Sequence, residues 1–218
     1  MEKSILDEYR NLYSGVISDI LDTLGFRNQV MNYKIRPIYP EAKIVGFAFT
    51  IYAEKMVGKC LPVLDRYKIE FEAIDLLKKD DVVVVANANY CGAFWGELLS
   101  TKAKSKGARG AIIEGFARDC AKIKELDFPV FSIGITPADS HMRVEAVSFG
   151  HVVTCGGVKV NQGDLIFADF DGVVVIPSEI IEPVLIKAKE KGLTEGKVRD
   201  ELRGGKSVKE VYKKYKVM

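Results

Sequence analysis

The chain switches between two kinds of apolar spacing, and the switches divide it into elements. From Ile5 to Leu24 the apolar residues Leu12, Ile17, Ile20, Leu21 and Leu24 recur at helical intervals and Gly25 offers a C-terminal stop, so the pattern predicts one amphipathic N-terminal helix. A connection carrying Pro37 and Pro40 leads to Ile44–Tyr52, whose β-branched and aromatic content predicts a strand, and residues 65–78 return to helical spacing. Val82 to Val85 are apolar on both faces, as in a strand covered on both sides, and a loop is expected from Ala86 to Gly92. A helix from Phe94 to Lys106 then feeds a strand from Gly110 to Ile113. Strand, helix, strand is the order of a parallel pair.

The second half is richer in short strands. After a short helix beyond Asp119, strands are predicted at Val130–Ile133, His151–Thr154, Val158–Val160, Leu165–Ala168 and Val173–Ile176, punctuated by glycines and by Asp171-Gly172. From Ser178, read as an N-cap, the chain turns helical, and a last amphipathic helix from Ser207 carries Val208, Val211, Tyr212 and Tyr215. The expected fold class is therefore α/β with a β-rich half. Residues 1–218 read as a single domain with an N-terminal helix and a C-terminal helical tail, since no repeat or linker interrupts them.

Composition adds exclusions. Lys and Arg (32) nearly balance Asp and Glu (30), which leaves no net field to draw the protein to nucleic acid or to an anionic membrane. With no apolar run of signal-peptide or membrane-spanning character, a cytoplasmic location is expected. Cys60, Cys91, Cys120 and Cys155 are widely separated, so they form no CxxC zinc or redox motif and suggest reduced thiols.

Several local patterns have an ordinary structural explanation. Gly204-Gly205-Lys206-Ser207 resembles the end of a phosphate-binding loop, but Asp200 stands where its first glycine belongs and the segment follows a helix; it reads as a turn with an N-cap serine. His141 and His151 are the only histidines and read as structural or solvent-facing, although Thr136-Pro137-Ala138-Asp139-Ser140-His141 could form a pocket rim. Cys120 adjoins Asp119 but has no histidine nearby in sequence to activate it.

The richer constellation begins at Gly92-Ala93-Phe94-Trp95-Gly96-Glu97-Leu98-Leu99, a glycine-spaced segment turning into a helix, where free backbone amides can take a carboxylate or phosphate. The next strand ends in Ile113-Glu114-Gly115-Phe116-Ala117-Arg118-Asp119, and its C-terminal loop should open beside that helix start. Amides, an arginine fork and the carboxylates of Glu97, Glu114 and Asp119 are then expected to converge.

At these residues the sequence resembles the family that unites the regulators of ribonuclease activity (RraA-like proteins) with the 4-hydroxy-4-methyl-2-oxoglutarate aldolases. The family signature is an acidic residue, twenty intervening residues and Arg-Asp; here Glu97 precedes residues 98–117, and Arg118-Asp119 follows. Glu97 departs from the aldolases, which carry Asp there, by one methylene. Further segments match in family order: Ser18 to Gly25, Ile35-Arg36-Pro37, Val45 to Thr50, Thr136-Pro137 with Ser140-His141, Gly156-Gly157-Val158, Gly163-Asp164 and Asp169 to Pro177.

The resemblance implies a layered β/β/α fold of the swivelling-domain type, assembled as a homotrimer or hexamer with sites between subunits. It implies a class II lyase: cleavage of 4-hydroxy-4-methyl-2-oxoglutarate-type substrates, decarboxylation of oxaloacetate, or both, through a pyruvate enolate with Mg2+ or Mn2+. Carried over by residue, Asp119 would be the direct metal ligand, Glu97 would hold the metal through water, and Arg118 would contact the substrate's oxo oxygen. The segment from Gly96, with the amides of Leu98 and Leu99, would receive its carboxylate, and Glu195 of a neighbouring subunit would complete the site. The alternative implied by the same family is a non-catalytic regulator that docks onto a ribonuclease. Methyl transfer with a sulfonium cofactor is disfavoured, because no glycine-rich nucleotide loop is present.

Overall fold

The structure is a computed structural model that describes residues 4–57 and 67–217. Its helices are α1 (Ile5–Tyr9), α2 (Ser14–Thr23), α3 (Lys68–Asp75), α4 (Glu97–Ser105), α5 (Cys120–Glu125), α6 (Ile181–Arg203) and α7 (Val208–Tyr215). The strands are β1 (Arg36–Pro37), β2 (Ile44–Lys55), β3 (Asp81–Trp95), β4 (Gly110–Ala117), β5 (Val130–Ile135), β6 (Val144–Phe149), β7 (Val153–Cys155), β8 (Val158–Val160), β9 (Leu165–Asp169) and β10 (Gly172–Ile176).

The central sheet runs β1-β5-β4-β3-β2-β9-β10, with β6 paired to the far half of β2. Strands β2, β3, β4 and β5 are parallel, whereas β1, β6, β9 and β10 join antiparallel. Alternation along β2 sorts the layers. Val45, Phe49, Ile51 and Ala53 face helices, packing with Ala73 and Ile74 of α3, Ala103 of α4, Ile123 of α5 and the buried residues of α1, α2 and α6. Ile44 and Ala48 face the other way, against the β7-β8 hairpin through Val153, Cys155, Val158 and Val160. A helical layer, a mixed sheet and a small β layer result, so the chain has the expected layered β/β/α arrangement. Val82 to Val85 lie fully buried between the outer layers, each contributing about 1.5–3 kcal/mol relative to exposure.

Three expectations are corrected. The N-terminal helix is two helices, because the Lys43 ammonium draws the carbonyls of Arg10 and Leu12 out of the helical ladder (2.7 and 2.8 Å). Asp169 then accepts hydrogen bonds from the backbone N–H and hydroxyl of Ser14, starting α2 afresh. The segment Ala86 to Gly92, expected as a loop, stays within β3; register shifts against β4 and left-handed residues at Asn87 and Cys91 absorb its extra length. Because β3 continues to Trp95, α4 starts at Glu97 rather than Phe94.

At the C-terminal end, Ser178 opens a single 3-10 turn and its side chain does not cap it. Ser207 does cap α7, in a reciprocal box with Glu210. Residues 65 and 66 of the expected helix 65–78, and Cys60, lie outside the described residues.

Candidate active site

The C-terminal edges of β3 and β4 carry the candidate site. Trp95 pairs with Ala117 across these strands, and the Arg118 amide donates to the Trp95 carbonyl (2.9 Å), so Gly96 and Arg118 leave the sheet side by side. The first turn of α4 is fastened to that edge by two fully buried residues. Trp95 Nε1 donates to Ser100 Oγ (2.8 Å), and Ser100 Oγ donates to the Gly96 carbonyl (3.0 Å). Gly96 is the N-cap of α4 and brings no side chain, while the amides of Glu97, Leu98 and Leu99, in the first turn, have no acceptor within the helix.

Asp119 lies in the left-handed region (φ 58°, ψ 30°) at the N-cap of α5, yet its side chain does not cap α5. It reaches across to α4, where Oδ2 accepts from the Glu97 amide at 3.4 Å. The carboxylate therefore sits at the positive end of a helix other than its own. Glycine at position 96 eases the approach: a Cβ there would stand 3.0 Å from Asp119 Oδ2 and 3.3 Å from Arg118 Cγ, and both would have to give by a few tenths of an ångström.

Arg118 and Asp119 form a partition between two depressions. One, of about 230 Å³, is lined by Tyr67, Phe94, Gly96 to Leu99, Asp139 and Ser140 among others; the second includes Cys120, Ile135, Thr136 and Pro137. The guanidinium finds its nearest carboxylate outside its own dipeptide. Arg118 Nη1 lies 2.8 Å from Asp139 Oδ2, while Nε lies 3.7 Å from Asp119 Oδ2. Tyr67 OH approaches the other oxygen of Asp139 at 3.5 Å.

The remaining sequence candidates distribute as follows. Glu97 contributes its amide, but its carboxylate turns along α4 to accept from Thr101 Oγ1 (2.8 Å). Glu114 does not converge on the site. It points to the hairpin layer and accepts from the amides of Asn87 (2.9 Å) and Gly156 (3.0 Å). Glu195 lies on α6 beside Tyr13, Asp19 and Arg199, in a separate depression of this chain, and burial raises its carboxyl above the usual range. His151 is exposed and its carbonyl accepts from the Thr50 hydroxyl; the amide of His141 donates to Asp139. Burial and the neighbouring Asp119 raise the Cys120 thiol, the opposite of what an activated nucleophile requires. Lys206 pairs with Glu201 at 3.2 Å in the turn that Ser207 caps, so the glycine pair there is a helix connection.

Asp139 falls within the Thr136–His141 segment expected as a possible pocket rim, but its pairing with Arg118 was not foreseen. The signal was available in the order of elements, because the loop after the next parallel strand, β5, opens at the same edge as those after β3 and β4.

No cluster of three or more His, Cys, Asp and Glu side chains converges among the described residues. Within one chain, the described residues therefore offer no three-ligand set of the zinc type. A hard cation that keeps most of its waters needs only one or two carboxylates, and Asp119, beside Glu97, fits that requirement.

Residues 14–175 match the model of the RraA-like family, described as Aldolase/RraA. The chain belongs to the RraA-like family. Among curated relatives, DlpA of Legionella pneumophila is 29% identical over 97% of this chain, which spans about a third (34%) of DlpA's length. A protein of Halalkalibacterium halodurans named "Putative 4-hydroxy-4-methyl-2-oxoglutarate aldolase" is 34% identical over 87% of this chain and 84% of its own. In three dimensions, an uncharacterized protein from Pseudomonas syringae superposes with a TM-score of 0.85 at 25% identity, covering 99% of this chain and 95% of that one. Streptomyces coelicolor RraAS2, described as an unusual member of the RNase ES inhibitor RraA protein family, shares the fold (TM-score 0.80, 24% identity, 92% and 98% coverage). No helix among the described residues of this RraA-like chain is long and apolar enough to cross a membrane.

Proposed function

We propose that this RraA-like chain is a lyase for small 2-oxo acids, dependent on Mg2+ or Mn2+, that releases pyruvate from 4-hydroxy-4-methyl-2-oxoglutarate-type substrates, from oxaloacetate, or from both. The observation that carries the reading is the meeting of Arg118 and Asp119 with the first turn of α4 across Gly96. An anion-receiving helix start, a guanidinium and a carboxylate at one edge are what a charged 2-oxo acid requires.

In this reading the amides of Leu98 and Leu99 receive the substrate carboxylate and Arg118 faces the oxo oxygen. Asp119, with Glu97 if its carboxylate left Thr101, would hold the divalent metal. When bound, the metal supplies Lewis-acid stabilisation of the charge that develops on the oxo oxygen. Arg118 acts on the same charge by hydrogen bonding. In the aldol case the C3–C4 bond breaks, the 4-hydroxyl gives its proton to solvent as it becomes a carbonyl, and the electron pair passes to C3, which takes a proton from solvent to give pyruvate. In the decarboxylation, carbon dioxide leaves and the same electron pair is left behind. Glu195 is assigned to the site of a neighbouring copy in a homotrimer or hexamer.

The test is pyruvate release from both substrates with Mg2+ or Mn2+ added. Activity that requires the metal and disappears in Asp119→Ala supports the assignment. No turnover of either substrate with either metal overturns it. Co-purification of a ribonuclease with wild type and Asp119→Ala alike, in the absence of turnover, would instead support a docking role.

A further inference from the structure

We propose that Asp139 is the positioning residue for Arg118, setting the orientation in which the guanidinium meets its ligand; the inference rests on the 2-oxo acid reading of this site. Arg118 is anchored to the sheet through its backbone amide, and its long side chain needs a second fixed point to present a planar fork in one direction. Its sequence neighbour does not provide one, since Asp119 stands 3.7 Å from Nε, beyond hydrogen-bond range. Asp139 does, at 2.8 Å from Nη1.

Asp139 is itself held from several sides. The Ala93 amide donates to the Ala138 carbonyl (2.8 Å), and Ala93 and Asp139 form a parallel β-bridge that pins this loop to the end of β3. Arg143 Nη1 donates to the Asp139 carbonyl (3.1 Å). Gly92 permits the approach, because a Cβ there would stand 2.7 Å from that carbonyl oxygen. Within the carboxylate, Oδ1 accepts from the His141 amide (2.7 Å), which leaves Oδ2 directed at Arg118. The loop thus spends one oxygen on its own shape and the other on the guanidinium.

Two consequences bear on the site. With Nη1 engaged by Asp139, the planar fork is fixed in one orientation, and its remaining N–H groups are left for a ligand in the depressions that Arg118 lines. Asp119, at 3.7 Å from Nε, remains in ion-pair range of Arg118 but does not have to supply the hydrogen bond that fixes it. The Arg118–Asp139 side chains are 36% and 40% exposed, so the pair contributes little to folding and its effect should be read in the site.

The experiment is a double-mutant cycle on wild type, Asp139→Ala, Arg118→Ala and the double variant, all with added Mg2+. It reads pyruvate release from oxaloacetate and, by calorimetry, the affinity for oxalate. Asp139→Ala is expected to lower kcat about tenfold or more, with a smaller change in KM. It should move Tm by only about 2–4 °C or less. Because Asp139 acts through Arg118, the double variant should match Arg118→Ala within roughly twofold, in turnover and in oxalate affinity. Losses that multiply in the double variant, or an Asp139→Ala protein with wild-type kinetics and oxalate affinity, would overturn the proposal. Oxalate binding without turnover would sink the lyase reading and leave Asp139 to be decided by the binding cycle. Neither turnover nor oxalate binding would remove both.

Discussion

Replacing Gly96 with alanine would add one methyl group at the point where α4, Arg118 and Asp119 meet. The backbone there is extended (φ −151°, ψ −172°), so alanine brings no conformational strain, and the effect comes from contact and capping alone. The new Cβ would lie 3.0 Å from Asp119 Oδ2 and 3.3 Å from Arg118 Cγ, which obliges both to retreat by a few tenths of an ångström. Since misplacement by 1 Å can cost about 100-fold in rate, a shift of this size should lower kcat/KM for pyruvate release roughly tenfold. Alanine is also a poorer N-cap than glycine, at a cost of about 0.5–1 kcal/mol. For a chain of this length that is a fall in Tm of about 1–4 °C. Parallel measurement of kcat/KM and thermal unfolding separates the two effects. Full activity in Gly96→Ala would refute the claim that this close approach sets the site, and so would a loss explained by a large unfolded fraction at the assay temperature.

Two further outcomes concern the scaffold. Glu114→Ala removes the acceptor of the Asn87 and Gly156 amides, and urea unfolding should show a loss of about 2–4 kcal/mol, smaller in Glu114→Gln, which keeps an acceptor oxygen. Hydrogen bonds from Lys214 and Tyr215 hold the Glu201 carboxyl at about 2, below its ordinary 4.5. A lowered folded value means that its contribution is complete above pH 4.5 and is lost as the pH falls toward 2. The Tyr215 ring signals in NMR should therefore report release of α7 across that window, and Glu201→Gln should abolish that dependence.

The parts of the fold that could be read from sequence were those whose pattern has a local cause. Val82 to Val85 are apolar on both faces because layers cover both sides, and Val158–Val160 alternates because one face packs on the sheet. The break between α1 and α2 could not be read this way, since Lys43 and Asp169 create it from 31 to 155 residues away. The extension of β3 through Ala86 to Gly92 was hidden for a similar reason. Gly92 and the left-handed Asn87 and Cys91 carry turn-like signals, yet the pairing of Ala88 with Gly115 and Ala93 with Phe116 keeps the segment in the sheet. In the candidate site, Arg118 and Asp119 announce themselves as adjacent charges after an apolar strand. Asp139 does not, because its role is set by a loop bridged to Ala93, far off in the chain.

The left-handed backbone of Asp119 has a consequence for anyone who sets out to make this protein sturdier. Holding a residue with a Cβ in that region costs about 1 kcal/mol, which glycine would recover. Asparagine, also at home there, would keep the shape but lose the charge. Any selection scored on heat resistance alone would therefore be drawn to position 119 and would improve the fold there by deleting the carboxylate on which the proposed chemistry rests. The same position becomes a marker for sorting related sequences: glycine at this turn denotes a chain that has kept the architecture and given up the carboxylate.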